Sequence, residues 1–118
     1  MKVNLKETCG KQTITRDDGK RINEIIIKAW NKEEKIIIDF NNILIASVSF
    51  LDEAFGKLSF DCSKEKLREK LVLKNIENYD RNLLNDVLIS RYRQKELGQN
   101  SASRTKKKKI ASKNRPIG

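Results

Sequence analysis

Apolar and polar residues change rhythm several times along the chain, and each change predicts an element. Lys2 to Cys9 alternates in the manner of an edge strand. Gly10-Lys11-Gln12 reads as a turn, and Thr13-Ile14-Thr15 adds a few extended residues. Thr15 is a suitable helix N-cap, with Asp17 and Asp18 in the first turn where the helix dipole favours carboxylates. Behind it Ile22, Ile25, Ile26, Ala29 and Trp30 recur at helical spacing, one apolar stripe on a helix of about four turns that Asn31 to Glu34 closes. The run Ile36-Ile37-Ile38-Asp39-Phe40 has no alternation and predicts a strand covered on both faces. Asn41-Asn42 is turn chemistry, and a second helix begins near Val48 with Leu51, Ala54, Phe55 and Leu58 on its inner face. Ser63 introduces a short helix, Leu71 to Ile76 a further strand, and Arg81 to Glu96 a last helix that Gly98 can stop. Strands alternating with helices predict an α/β domain: a small mixed sheet of about four strands covered by three to four helices.

Composition adds a boundary. The net charge of +10 suggests nucleic acid at first, but its location changes that inference. Residues 98–118 contain seven basic side chains (Arg104, Lys106, Lys107, Lys108, Lys109, Lys113 and Arg115) and no acidic one. Residues 1–97 hold the other 19 basic residues against 16 acidic ones. Almost without apolar side chains, the terminal segment reads as a disordered basic tail behind a single domain at 1–97. Such a tail can neutralise backbone phosphates of nucleic acid in a salt-sensitive, sequence-independent manner, which gives an alternative function.

Other absences narrow the chemistry. With no histidine, Ser-His-Asp triads, imidazole zinc sites and phosphohistidine relays are ruled out. No Gly-rich phosphate loop or nucleophile–base pair is recognisable, so the expectation is no enzyme, no cofactor and no metal. Cys9 and Cys62 read as two small buried thiols rather than a disulfide or metal pair. Without an apolar leader or membrane-spanning run, the expected compartment is the cytoplasm.

Residues 36–43 and 46–58 carry a pattern: a strand ending in Asp39-Phe40, a short loop, a Ser47-Val48-Ser49 turn, then Phe50-Leu51-Asp52-Glu53 and Phe55-Gly56-Lys57-Leu58. It resembles the bacterial STAS-like domain family of unknown function, and Thr15-Arg16, Gly19 and Arg21-Ile22 fit that family's first helix. More distantly it is similar to STAS anti-sigma factor antagonists, in which a partner kinase phosphorylates a serine at the start of a helix. The resemblance implies Ser49 as phospho-acceptor and a histidine-kinase-like ATPase as protein partner. Two positions depart: Ser47 stands where antagonists carry Asp, and Phe50 where they carry Gly.

The residues alone allow a blander reading beside each sharp one. Ser47 or Ser49 is an N-cap only, or a cap that is also a docking or modification point. Asp39 is a strand-terminating carboxylate binding loop N–H groups, or an acid acting beside Ser49. Asp52 and Glu53 point about 100° apart on a helix and predict a solvated face, recognised if at all as partner-facing charge. Phe50 and Phe55 suit the core. The partner-docking set is therefore Asp39, Ser47, Ser49, Phe50, Asp52, Glu53 and Lys57, in a regulatory protein–protein interaction module that docks through residues 46–58.

Overall fold

Three consecutive isoleucines make Ile36–Asp39 (β3) the centre of the molecule. The computed structural model describes residues 1–102. Lys2–Asn4 (β1) and Leu71–Lys74 (β5) pair with β3 on either side, both in parallel. A second parallel pair, Thr13–Ile14 (β2) with Ile45–Ala46 (β4), stands apart as its own two-stranded sheet. The α/β class holds, with the strands divided between two small sheets and every pairing parallel. Parallel neighbours share a face, so Val3, Ile38 and Leu73 form one row, with Ile36 beside Leu71. Val3, Ile36 and Ile38 are buried, while Ile37 and Val72 on the opposite face are only half-buried. The expectation of a strand fully covered on both faces is corrected there.

Leu5–Cys9 (α1) is helical rather than a continuation of the first strand. The Asn4 side chain accepts from the Glu7 N–H at 2.9 Å, and Gly10 ends the turn at φ 74°, a conformation that costs glycine little. Arg16–Ala29 (α2) begins where Thr15 predicts. Asp18 accepts the Thr15 backbone N–H at 2.9 Å, half of a capping box, and pairs with Lys11 at 3.1 Å. Ile22 and Ile26 of the predicted stripe are fully buried.

Val48–Ala54 (α3) crosses α2 very closely. A Cβ on Gly19 would stand 2.8 Å from the Phe50 carbonyl oxygen and 2.9 Å from the Glu53 Cβ, so only glycine fits at the crossing. Asn23 donates to the Ala54 carbonyl at 3.1 Å, satisfying one of the acceptors that a helix end leaves free. A 3-10 turn at Gly56–Phe60 continues the chain, and Phe55 meets Phe50 edge-on with ring centroids 5.9 Å apart.

Lys64–Lys70 (α4) is capped by Ser63, whose Oγ accepts from the Lys66 N–H at 3.1 Å. Asn78–Ala102 (α5) runs through Gly98, which has open space around it and does not stop the helix. Residues 98–102, placed by the sequence reading in a tail, are therefore helical, and the basic residues from Arg104 to Arg115 lie outside the described residues. The Tyr92 hydroxyl donates to the Cys62 carbonyl at 3.0 Å and ties α5 to the segment before α4. Cys9 and Cys62 are free and half-buried, and burial pushes both thiols above their ordinary values.

Candidate functional site

The short β2–β4 sheet positions the serine turn. Asn42 takes a left-handed φ of 65° and reverses the chain after β3. The N–H groups of Leu44 and Ser47 then donate to the carbonyls of Gln12 at 2.9 Å and Ile14 at 3.1 Å. With the chain so pinned, Ser47 becomes the N-cap of α3: its Oγ accepts from the Phe50 N–H at 3.0 Å. Ser49 Oγ lies 3.0 Å from Ser47 Oγ in a single hydrogen bond for which either hydroxyl can be the donor. Both serines are half-buried, and Val48 between them is 52% exposed.

Ser49 opens onto a groove of about 790 Å³ between α2, α3 and α5. Arg16 comes from α2, Asp52 from α3, and Asp86, Ser90 and Arg91 from α5. The Arg91 guanidinium grips Asp52 with two hydrogen bonds, Nε at 2.8 Å and Nη2 at 2.6 Å, the strong bidentate form of this pair. Those bonds hold the Asp52 carboxyl below its usual range and raise Arg91 in turn.

The expected solvated face at Asp52-Glu53 is not what forms. Asp52 is half-buried against Arg91, and Glu53 is buried. Glu53 lies three residues after Phe50 and shares its face toward α2, where Gly19 leaves room for both. Its charge is compensated by Lys57 one turn on and by Arg16 at 3.0 Å. The hydrogen bond from Lys57 holds the Glu53 carboxyl below its usual range despite burial.

Other predicted positions separate from the serines. Phe50 is wholly within the core and presents nothing to a partner. Asp39 is buried at the end of β3, accepting from the Asn75 side chain at 2.8 Å and the Asn41 N–H at 2.9 Å, with Lys2 at 3.7 Å. The Asn75 bond and then the Asn41 bond depress its carboxyl. None of these partners lies on the serine turn, so the geometry matches the strand-terminating reading of Asp39. Ser47, Ser49, Asp52 and Lys57 remain accessible around the groove and α3. Missed from the sequence were Arg91, which meets Asp52 across 39 positions with no local signal, and the exposed Leu44 and Ile45. The run Ile43-Leu44-Ile45 behind a turn was a signal available for the latter.

Among the described residues no group of three or more Cys, Asp and Glu is placed to hold a metal ion. No helix among them is long and apolar enough to cross a membrane. A parallel-stranded α/β domain of this kind is consistent with a STAS-like fold. The chain belongs to the family of STAS-like domains of unknown function, whose model matches residues 18–81. That span includes α2 from Asp18 onward, β3, the serine turn, α3 and β5, and such a domain suggests a regulatory or interaction module. No curated protein and no solved structure matches the chain.

Proposed function

We propose that this chain is a non-enzymatic cytoplasmic regulatory module that docks a partner protein through the loop and helix at 46–58. One observation carries the reading: Leu44, Ile45 and Val48 stand 69%, 58% and 52% exposed, clustered around the serine turn. Aliphatic side chains gathered in water beside a polar groove are the surface a partner covers. Ser47, Ser49, Asp52 and Lys57 supply the polar rim, Phe50 and Glu53 hold the segment in shape from beneath, and Asp39 fixes the turn that leads into it. The similarity to anti-sigma factor antagonists favours a histidine-kinase-like ATPase as that partner.

Ser49 is the switch in this reading. A phosphate there adds about −1.5 to −2 charges at neutral pH. It would arrive in a groove that already contains the Arg16 and Arg91 guanidiniums, and would compete with Glu53 and Asp52 for them. The test is a pull-down with a histidine-kinase-like ATPase encoded beside this chain. Val48→Glu is expected to abolish retention, and Ser49→Asp to change it relative to Ser49→Ala. Equal retention by wild type, Ser49→Ala and Ser49→Asp would remove the switch. Undiminished retention of Val48→Glu would remove the docking surface itself.

A further inference from the structure

The core layer of the main sheet does not finish at its β5 edge. Val3 and Ile38 are buried, but Leu73, next in the same row, is only half-buried, and so is Leu71 beside the fully buried Ile36. Over these two leucines lies a groove of about 390 Å³ between α4 and α5, walled by Leu67, Leu84 and Leu88. Its polar groups are Lys64, Arg68, Arg81 and Asn85, so the charge lining it has one sign. Among the described residues none of the three cations forms an ion pair. No acid of the same helices lines it: Asp86 lines the groove by Ser49, Glu65 and Glu96 a separate hollow beside Tyr92, and Glu69 pairs with Lys66.

The cations are also spread out. The Tyr92–Cys62 hydrogen bond sets the start of α4, and so Lys64, beside Tyr92. Arg81 lies 11 residues earlier on α5, about 16 Å along the axis at 1.5 Å per residue. A single carboxylate cannot meet charges distributed over that length, whereas acidic residues flanking the apolar face of a helix can. Residues 104–115 of this chain are excluded as the occupant by like charge.

We propose that the α4–α5 groove is a docking site for an acidic amphipathic helix of a partner protein. Its apolar side chains, at i, i+4 and i+7, seat on Leu71, Leu73 and Leu84. Its carboxylates meet Lys64 and Arg68 on one wall and Arg81 on the other. The site shares no lining residue with the groove by Ser49 and does not depend on phosphorylation of Ser49.

The probe is a fluorescein-labelled peptide of about 16 residues, four turns of helix, with leucines at that spacing and glutamates on both flanks. Its control is the same peptide with every glutamate replaced by lysine. With the full chain, the acidic peptide is expected to bind at least about tenfold more tightly by fluorescence anisotropy. It should also move the backbone amide signals of Leu71, Leu73 and Leu84 in a two-dimensional NMR spectrum. The triple variant K64E/R68E/R81E, shown folded by the same spectrum, is expected to reverse the preference. No binding of the acidic peptide, equal binding of the two peptides, or shifts confined to residues 44–58 would overturn the proposal. So would decanoate moving the groove amides where the peptide does not, or a dimer of the wild-type chain that the triple variant abolishes. The first would assign the groove to a small apolar acid and the second to another copy of this chain.

Discussion

Helix α5 has two flanks built from opposite materials. Toward α3 it offers Asp86, Ser90 and Arg91, and the Arg91–Asp52 pair fastens the two helices together. Gly56 keeps this side tight, since a Cβ there would stand 3.0 Å from the Val87 Cγ1. Toward α4 and β5 it offers Arg81, Leu84 and Leu88 over half-buried leucines, with cations that pair with nothing described. On the first flank Arg91 is matched by Asp52 within the fold; the second leaves both apolar surface and charge unmatched among the described residues. One side is therefore fastened by an ion pair formed in folding, whereas the other pairs none of its cations within the described fold. The difference teaches where stability and where recognition should respond to mutation.

The sharpest way to break the comparison is on the α2–α3 side, which backs the polar flank. Gly19→Ala drives a methyl into the Phe50 carbonyl and is expected to destabilise by about 2–3 kcal/mol, read by urea unfolding. A loss under about 0.5 kcal/mol would mean that the crossing relaxes freely.

Acid should act next, and through the same flank. Asp52, held low first by Arg91, and Glu53, held low first by Lys57, have folded pKa values below their unfolded ones. Their contribution is complete above about pH 5, beyond the unfolded carboxylate values, and is lost as pH falls through the folded ones. The melting temperature should drop between about pH 5 and pH 2, and Asp52→Asn should flatten the slope. An unchanged slope in that variant would exclude the Arg91 pair as its source. Smaller again, Ser47→Ala removes the α3 cap and should cost about 1 kcal/mol in the same unfolding assay. Smallest of all, Ile89→Gln, at a 53% exposed position on the open flank, should change stability by less than about 0.5 kcal/mol. A larger loss would show that the α4–α5 groove is already part of the core.

Local chemistry made much of this legible. The Thr15 start, the Ile22–Ile26 stripe, the Ile36–Asp39 strand and the Asn41-Asn42 turn depend on residues within a few positions of one another. What stayed hidden depends on distant partners. Glu53 is buried because Gly19, 34 positions earlier, leaves space for it, and Asp52 is occupied because Arg91 lies across the groove. Leu5–Cys9 alternates like a strand, yet Asn4 and Gly10 supply a helix with both its ends. Gly98 carries a stop signal that its surroundings never use. Ser47 as a cap was readable from the sequence, whereas the exposed Leu44, Ile45 and Val48 became meaningful only with the turn pinned by β2.

The register of the main sheet carries a kinetic consequence. Lys2 lies opposite Ile37 and Ile36 opposite Leu71, so each strand meets its neighbour 35 residues along the chain. Neither pairing can be nucleated by a hairpin, and each must close a long loop before any ladder hydrogen bond forms. Sheets of this kind form slowly for their size. During synthesis β3 can recruit β1 as soon as it appears, but its other edge stays bare until residue 74 emerges. The last strand to arrive is also the one whose leucines remain half open in the finished fold.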